Sequence, residues 1–170
     1  MKMLDFPNAR QTFEYDCGAK AMHAVLAYYG IDVNENEIIR VAHTNKRSGT
    51  SLRGMVAVAH HYKLPVTLEE MSVEKIKESL KKDIPVILLL QAWAKRKVKN
   101  WQNHWGDGHY VVAIGYDQKK IYFEDPYTIS HTFLPYKELE RRWHGEKRYR
   151  IGIVIKGKKK YSSKKSIPMG

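Results

Sequence analysis

At 170 residues, with 43% hydrophobic residues, four Trp and 11 Tyr, the chain is long enough for one hydrophobic core and too short for two ordinary domains to be expected. That apolar content excludes a chain disordered along its whole length, which would lack the buried surface to offset its conformational entropy. One cysteine excludes an internal disulfide, and the longest apolar run, Ile84 to Leu90, is too short to cross a bilayer as a helix.

The formal charge of +12 is unevenly placed, with Lys137 to Lys165 carrying +9 of it. A basic tail of this kind serves as a solvated, flexible segment or holds a polyanion or an anionic membrane surface, because counterion release drives such binding with little sequence demand. The expected organisation is one domain over residues 1–156 followed by a basic, flexible tail over 157–170. The first residues lack the apolar run of a secretory signal, so a soluble cytoplasmic protein is the default expectation.

In chain order, the first half reads as helical. Asp16 can cap a helix running to about Tyr29, with Ala21, Met22, Val25 and Leu26 at helical spacing and Gly30 placed for a left-handed stop. Asn34 followed by Glu37 resembles a capping box for a short helix to about His43. Thr50 is the expected cap of a third helix that buries Leu52, Met55, Val56 and Ala59, and Ser72 that of a fourth burying Val73, Ile76 and Leu80.

The second half changes period. Ile84 to Leu90 fits a strand buried on both faces, and Tyr110–Tyr116 with Ile121–Phe123, joined by Asp117 to Lys120, reads as a hairpin. A short helix over Pro135–Trp143 and a last strand over Tyr149–Ile155 complete the prediction. Helices first and sequential strands later imply an α+β fold with an antiparallel sheet packed on the helical half.

Cys17 stands where a loop becomes a helix. Unpaired N–H groups and the macrodipole at a first helical turn favour negative charge, which makes a thiol there a candidate nucleophile. The competing reading is a small buried hydrophobe, the commoner role of a free cysteine. Polar Glu14, Tyr15 and Asp16 on one side and Gly18 on the other favour the open, reactive alternative.

A nucleophilic cysteine needs a base that is itself oriented. Of eight histidines, His109 stands at the mouth of the strand beginning at Tyr110, after a loop holding Gly106 and Gly108. His104 is near enough in sequence to be mistaken for it. Asp125 ends the next strand, so the hairpin returns it beside His109, whereas Glu124 must point to the opposite face. Asp125 is otherwise read as a turn former before Pro126.

Together these pieces resemble the C39-type cysteine peptidases of the papain-like superfamily. The resemblance rests on Gln11 ahead of Asp16-Cys17-Gly18, on Tyr28-Tyr29-Gly30, on Gly108-His109-Tyr110-Val111-Val112 through Gly115-Tyr116-Asp117, and on Phe123-Glu124-Asp125-Pro126-Tyr127. It implies a papain-like fold, Cys17 as nucleophile, His109 as general base and then acid, Asp125 as the orienting carboxylate, and Gln11 as side-chain donor of an oxyanion hole. The best-known members are domains of peptide-exporting transporters that cut leader peptides after a pair of small residues; this chain carries neither a membrane span nor a Gly-rich phosphate loop.

The expected activity is thus hydrolysis of a peptide or amide bond in a peptide or protein substrate, with no cofactor and no metal. Adjacent His60 and His61 face different directions on a helix and lack tetrahedral spacing. Two alternatives stay open: transfer of the acyl group to an amine or thiol, and a non-catalytic module on the same fold. The latter would use the basic tail and the Lys95-Arg96-Lys97-Val98-Lys99 cluster near Trp93, Trp101 and Trp105 to hold nucleic acid or another polyanion.

Overall fold

The computed structural model describes residues 1–170. Its elements in chain order are β1 (Lys2–Met3), α1 (Cys17–Tyr28), α2 (Glu35–Ala42), α3 (Leu52–His61), β2 (Val66–Glu70), α4 (Val73–Lys81), β3 (Val86–Gln91), β4 (Gly108–Tyr116), β5 (Lys120–Glu124), β6 (Thr132–Pro135), α5 (Tyr136–Arg142), β7 (His144–Gly145), β8 (Arg148–Tyr149) and β9 (Ile151–Ile155). The fold is α+β, with helices concentrated in the first half and an antiparallel sheet in the second.

The main sheet has seven strands in the order β2-β9-β3-β4-β5-β6, with β1 added beside β4. All of its pairings are antiparallel. β3 lies between β9 and β4, and all six of its residues are buried. Its continuous apolar run therefore has the same cause here as in a parallel sheet: both faces are covered. β4 and β5 form the expected hairpin, with a register irregularity between Ala113 and Gly115 that re-aims the strand near its far end.

Capping follows residue chemistry, with three departures. Ser72 caps α4 as expected, its hydroxyl accepting the Lys75 N–H at 3.2 Å. The cap of α3 is Ser51, not Thr50, because Ser51 Oγ accepts the Gly54 N–H at 3.0 Å while Thr50 is buried against Thr44, their hydroxyls 2.6 Å apart. Asn34 accepts the Asn36 N–H at 2.9 Å, but Glu37 does not close a capping box: its carboxylate lies 3.2 Å from His61 Nε2 on α3. Asp16, discussed below, is the third.

α1 ends at Gly30, whose φ of +79° supplies the left-handed turn, with Ile31 N–H returning to the Leu26 carbonyl at 2.9 Å. The core is one cluster that joins Met22, Val25 and Leu26 of α1 to Ile87, Leu88, Val112, Ile114 and Ile153 of the sheet. Full burial of each Leu or Ile is worth roughly 1.5–3 kcal/mol. Beyond β9 the chain passes the C-terminal end of α1, where Lys160 and Tyr161 donate their N–H groups to the Tyr28 carbonyl at 3.0 and 3.2 Å. No helix is long and apolar enough to cross a membrane.

Candidate active site

Cys17 is the first residue of α1 and is partly exposed. Asp16 occupies the cap position but does not cap with its side chain. Its backbone has φ −104° and ψ 16°, outside the extended region from which a cap side chain reaches the first-turn amides. The fully buried carboxylate turns back instead and accepts N–H groups from Thr12 at 3.1 Å and Phe13 at 3.0 Å. The first-turn N–H groups of α1, that of Cys17 included, are left with neither an intrahelical nor a side-chain acceptor.

Gly18 explains how close this helix end comes to the sheet. A Cβ there would stand 2.9 Å from both the Thr50 Cβ and the Tyr110 ring, so any larger residue would lift Cys17 away from β4.

The loop that Asp16 folds also shapes Gln11. Its Nε2 donates to the Phe13 carbonyl at 2.8 Å, while its Oε1 is buried without a partner. Exchanging the two amide atoms would set an oxygen against the Phe13 carbonyl, so the orientation follows from the bond. The second Nε2 hydrogen is free for another acceptor. On its other side Gln11 donates its backbone N–H to the Pro126 carbonyl at 2.8 Å, which fixes it between the turn after Asp125 and the loop before Cys17.

His109 sits near the start of β4 and is 6% exposed. Its Nε2 lies 2.7 Å from Asp125 Oδ1. That bond engages Nε2, and the Cys17 thiol is near enough to the ring to act on its charge. Burial alone would push the imidazole pKa down, but the bonds and charges of Asp125 and Cys17 overcome it and raise it to about 9. Asp125 shows the reverse balance. Burial favours its neutral form, yet the His109 bond and charge hold its carboxyl below the ordinary carboxylate range.

Four donors converge on Asp125. Besides His109, Oδ1 accepts the Tyr127 N–H at 2.9 Å, while Oδ2 accepts Trp93 Nε1 at 3.1 Å and Thr132 Oγ1 at 3.2 Å. Trp93 adopts a φ of +60°, an unusual left-handed conformation for a bulky residue. Its indole stacks on Tyr127 at 4.2 Å, and the Tyr127 ring stands edge-on to His109. The pair is thereby covered by two aromatic rings.

Cys17 lines a cleft of about 860 Å³ between the loop carrying Phe13 and Tyr15 and the segment from Trp105 to Gly108, floored in part by Leu89 and Gln91. Gln91 is 1% exposed and uses both ends of its amide, accepting the Asp107 N–H at 2.9 Å and donating to the His144 carbonyl at 3.1 Å. Across the cleft, Glu146 reaches from the β7–β8 turn to accept the Leu52 N–H at the start of α3 at 3.0 Å.

The structure therefore holds His109 on Asp125, places Cys17 near enough to act on the His109 charge, and ties Gln11 by its backbone to the turn after Asp125. Glu124 points to the opposite face, as strand alternation requires. His104 pairs with Asp107 at 2.6 Å rather than with the cysteine, and Trp101 lies under Arg142 instead of in the cleft. Trp93 stood among the loop tryptophans beside the basic cluster, but its bond to Asp125 was not legible, and Gln91 was not read as a site residue. The one sequence signal for Gln91 is a polar side chain at the end of an apolar strand, which must find partners once buried. No group of three or more His, Cys, Asp or Glu side chains is placed to hold a metal ion.

Comparison with known proteins bears on the family and the fold. The model of the Peptidase_C39 like family matches residues 3–151. The pediocin PA-1 transport/processing ATP-binding protein PedD of Pediococcus acidilactici is 24% identical over 152 residues, which are 89% of this chain and 18% of that protein. The chain thus spans less than a fifth of that relative's length. Among solved structures, a double glycine motif protease from an AMS/PCAT transporter, in complex with the leader peptide, is similar with a TM-score of 0.67 and 23% identity, over 92% of this chain and 95% of that one. The peptidase domain of Streptococcus ComA, a bifunctional ABC transporter of a quorum sensing pathway, gives a TM-score of 0.66 at 18% identity, over 92% and 98%. At these identities the structural likeness is one of fold.

Proposed function

This chain belongs to the Peptidase_C39 like family, and from that premise we propose that it is a cysteine peptidase that cleaves a peptide bond through an acyl-enzyme on Cys17. The observation that carries the proposal is His109, held by Asp125 on Nε2 and close to Cys17, which lines the cleft. An imidazole that keeps its proton up to about pH 9 is cationic at neutral pH, the charge that a thiolate nucleophile needs beside it.

The steps follow from these positions. The Cys17 thiolate attacks the carbonyl carbon of the scissile bond, and the carbonyl electron pair moves onto oxygen. The Cys17 N–H and the free hydrogen of Gln11 Nε2 stabilise that oxyanion. As the tetrahedral intermediate collapses, His109 gives its proton to the leaving amine and the thioester forms. Water then attacks the thioester, His109 takes its proton, and the acid product leaves with the thiolate restored. Asp125 accepts from the imidazole Nε2–H throughout, and Trp93 and Tyr127 keep water from that bond.

The substrate class follows the relatives named for it: a peptide with a double glycine before the scissile bond is the first to offer. The unit that performs this chemistry is residues 1–156, and the basic segment 157–170 takes no part in it. The test is cleavage of such a peptide by wild type and Cys17→Ala, read by mass spectrometry, beside the pH profile of Cys17 alkylation by iodoacetamide. Cleavage lost in Cys17→Ala, with labelling that persists well below pH 8 and vanishes in His109→Ala, is the expected result. Full cleavage by Cys17→Ala would refute the proposal.

A further inference from the structure

Two carboxylates in succession close β5, one as its last residue and one just beyond it. Asp125, just past its end, serves His109; Glu124 is 3% exposed and faces the N-terminal segment instead. Its Oε1 accepts the Ala9 N–H at 2.8 Å, and its Oε2 lies 3.2 Å from Nε2 of the half-exposed His131. Burial pushes the Glu124 carboxyl above the ordinary carboxylate range, a tendency that the Ala9 bond and His131 oppose.

The Ala9 bond is the first of three in a row. Arg10 Nη1 donates to the Tyr127 carbonyl at 2.7 Å, and the Gln11 N–H to the Pro126 carbonyl at 2.8 Å. Residues 9–11 thus run beside residues 124–127 with one bond from each. Among these ties, the Glu124 contact is the one in which a β5 side chain reaches across. On the far side of Gln11, Asp16 grips Thr12 and Phe13. The path of the chain through Gln11 is therefore set from both ends, by a carboxylate next to Cys17 and a carboxylate next to Asp125.

We infer that Glu124 is a positioning residue for Gln11: its carboxylate ties the strand that delivers Asp125 to the segment that carries the oxyanion donor, and so sets where that amide stands over the reacting carbonyl. The inference rests on the role given to Gln11 above. It separates two functions of adjacent residues, since Asp125 acts on the base and Glu124 on the oxyanion donor.

The experiment compares Glu124→Leu and Glu124→Gln with wild type in four readouts: steady-state cleavage, iodoacetamide labelling of Cys17, inhibition by a peptide aldehyde, and amide hydrogen exchange at Ala9 and Gln11. Glu124→Leu is expected to lower kcat by about 30-fold, part of the 10²–10³ lost with a whole oxyanion donor, with KM changed less than about twofold. Labelling stays at the wild-type rate, because alkylation forms no oxyanion. Aldehyde binding, which does form one on the thiohemiacetal, weakens in step with kcat, and exchange at Ala9 and Gln11 accelerates. Glu124→Gln keeps an oxygen for Ala9 and returns kcat to within about threefold of wild type.

Should Glu124→Leu fail to fold, Glu124→Met keeps the side-chain length and removes the same acceptor. Unchanged kcat in the folded variant overturns the inference. So does labelling that falls with kcat, which would move the effect to the His109–Asp125 pair. Wild-type kcat in Gln11→Ala would sink the oxyanion role itself, whereas unchanged exchange at Ala9 in Glu124→Leu would sink the tie; the two failures are read from different measurements.

Discussion

The two walls of the site are held in different ways. On the sheet wall, His109 and Asp125 are buried, hang from strands whose neighbours are core residues, and have every carboxylate oxygen occupied by donors. On the helix wall, Cys17 is partly exposed and Gln11 belongs to a loop without regular structure, held by a few bonds from two carboxylates. In the proposed mechanism the sheet wall fixes where the proton goes, and the helix wall fixes where the substrate carbonyl is met. A rigid network should lose much when its central atom is removed and little when one donor is trimmed, whereas a loop on few ties should respond to each tie.

Removing the centre of the rigid wall is the severest break. His109→Ala should lower kcat by up to about 10⁶-fold, the scale seen when one member of a catalytic unit is lost, and should abolish the fall in kcat/KM expected of wild type as pH rises through about 9. A pH–rate series on both proteins checks it. Asp125→Asn, which leaves the shape intact and perturbs the tautomer, should cost about 10⁴-fold in kcat, measured on the same peptide.

On the other wall, Gln11→Ala should cost about 10²–10³-fold in kcat while iodoacetamide labelling of Cys17 continues at the wild-type rate. Equal losses in both assays would erase the distinction between the walls. Trp93→Phe removes one of four donors to the Asp125 carboxylate and should lower kcat by about tenfold, the low end of the roughly 1.5–3 kcal/mol that a hydrogen bond to a charged group contributes, because three donors remain. A drop as large as that of Asp125→Asn would mean the indole does more than complete the shell.

The smallest effect sharpens the electrostatics. His109 is raised from 6.5 to about 9 on folding, so its contribution to stability is complete below pH 6.5 and is lost as pH rises through 9. Asp125 is lowered from 3.8, so its contribution is present above pH 3.8 and is lost as pH falls through the folded value. Urea midpoints of wild type should therefore fall between pH 6.5 and 9, and those of Asp125→Asn should fall less.

Much of this was legible before the structure. Cys17 at a helix start, His109 at a strand mouth and Asp125 at the end of the returning strand follow from local period and hairpin geometry. What was not legible depends on partners far along the chain. β2 and β6, neither of them read from sequence, are the outermost strands of the main sheet, and their half-exposed residues give a weak alternating signal. The β7–β8 turn runs through Glu146 and Lys147, both at positive φ, with neither Gly nor Asn to announce it. Asp16 shows the limit of residue type as a guide: Asp is a good cap, but a cap also needs extended backbone, and here ψ is 16°. Glu37 was drawn away from its expected box by His61, a residue on another helix.

The order of the sheet has a consequence for when the enzyme can act. β9, the last strand in the chain, lies between β2 and β3 and pairs with both. A nascent chain that has emerged only as far as α5 already holds Cys17, His109 and Asp125, yet β2 has no partner and one edge of β3 is bare. A fragment ending at Arg142, which lacks β9, should label with iodoacetamide at the rate of a free thiol, whereas the chain that includes β9 should label as the folded protein does. A strand far from the candidate catalytic residues in sequence thus decides whether they can be assembled.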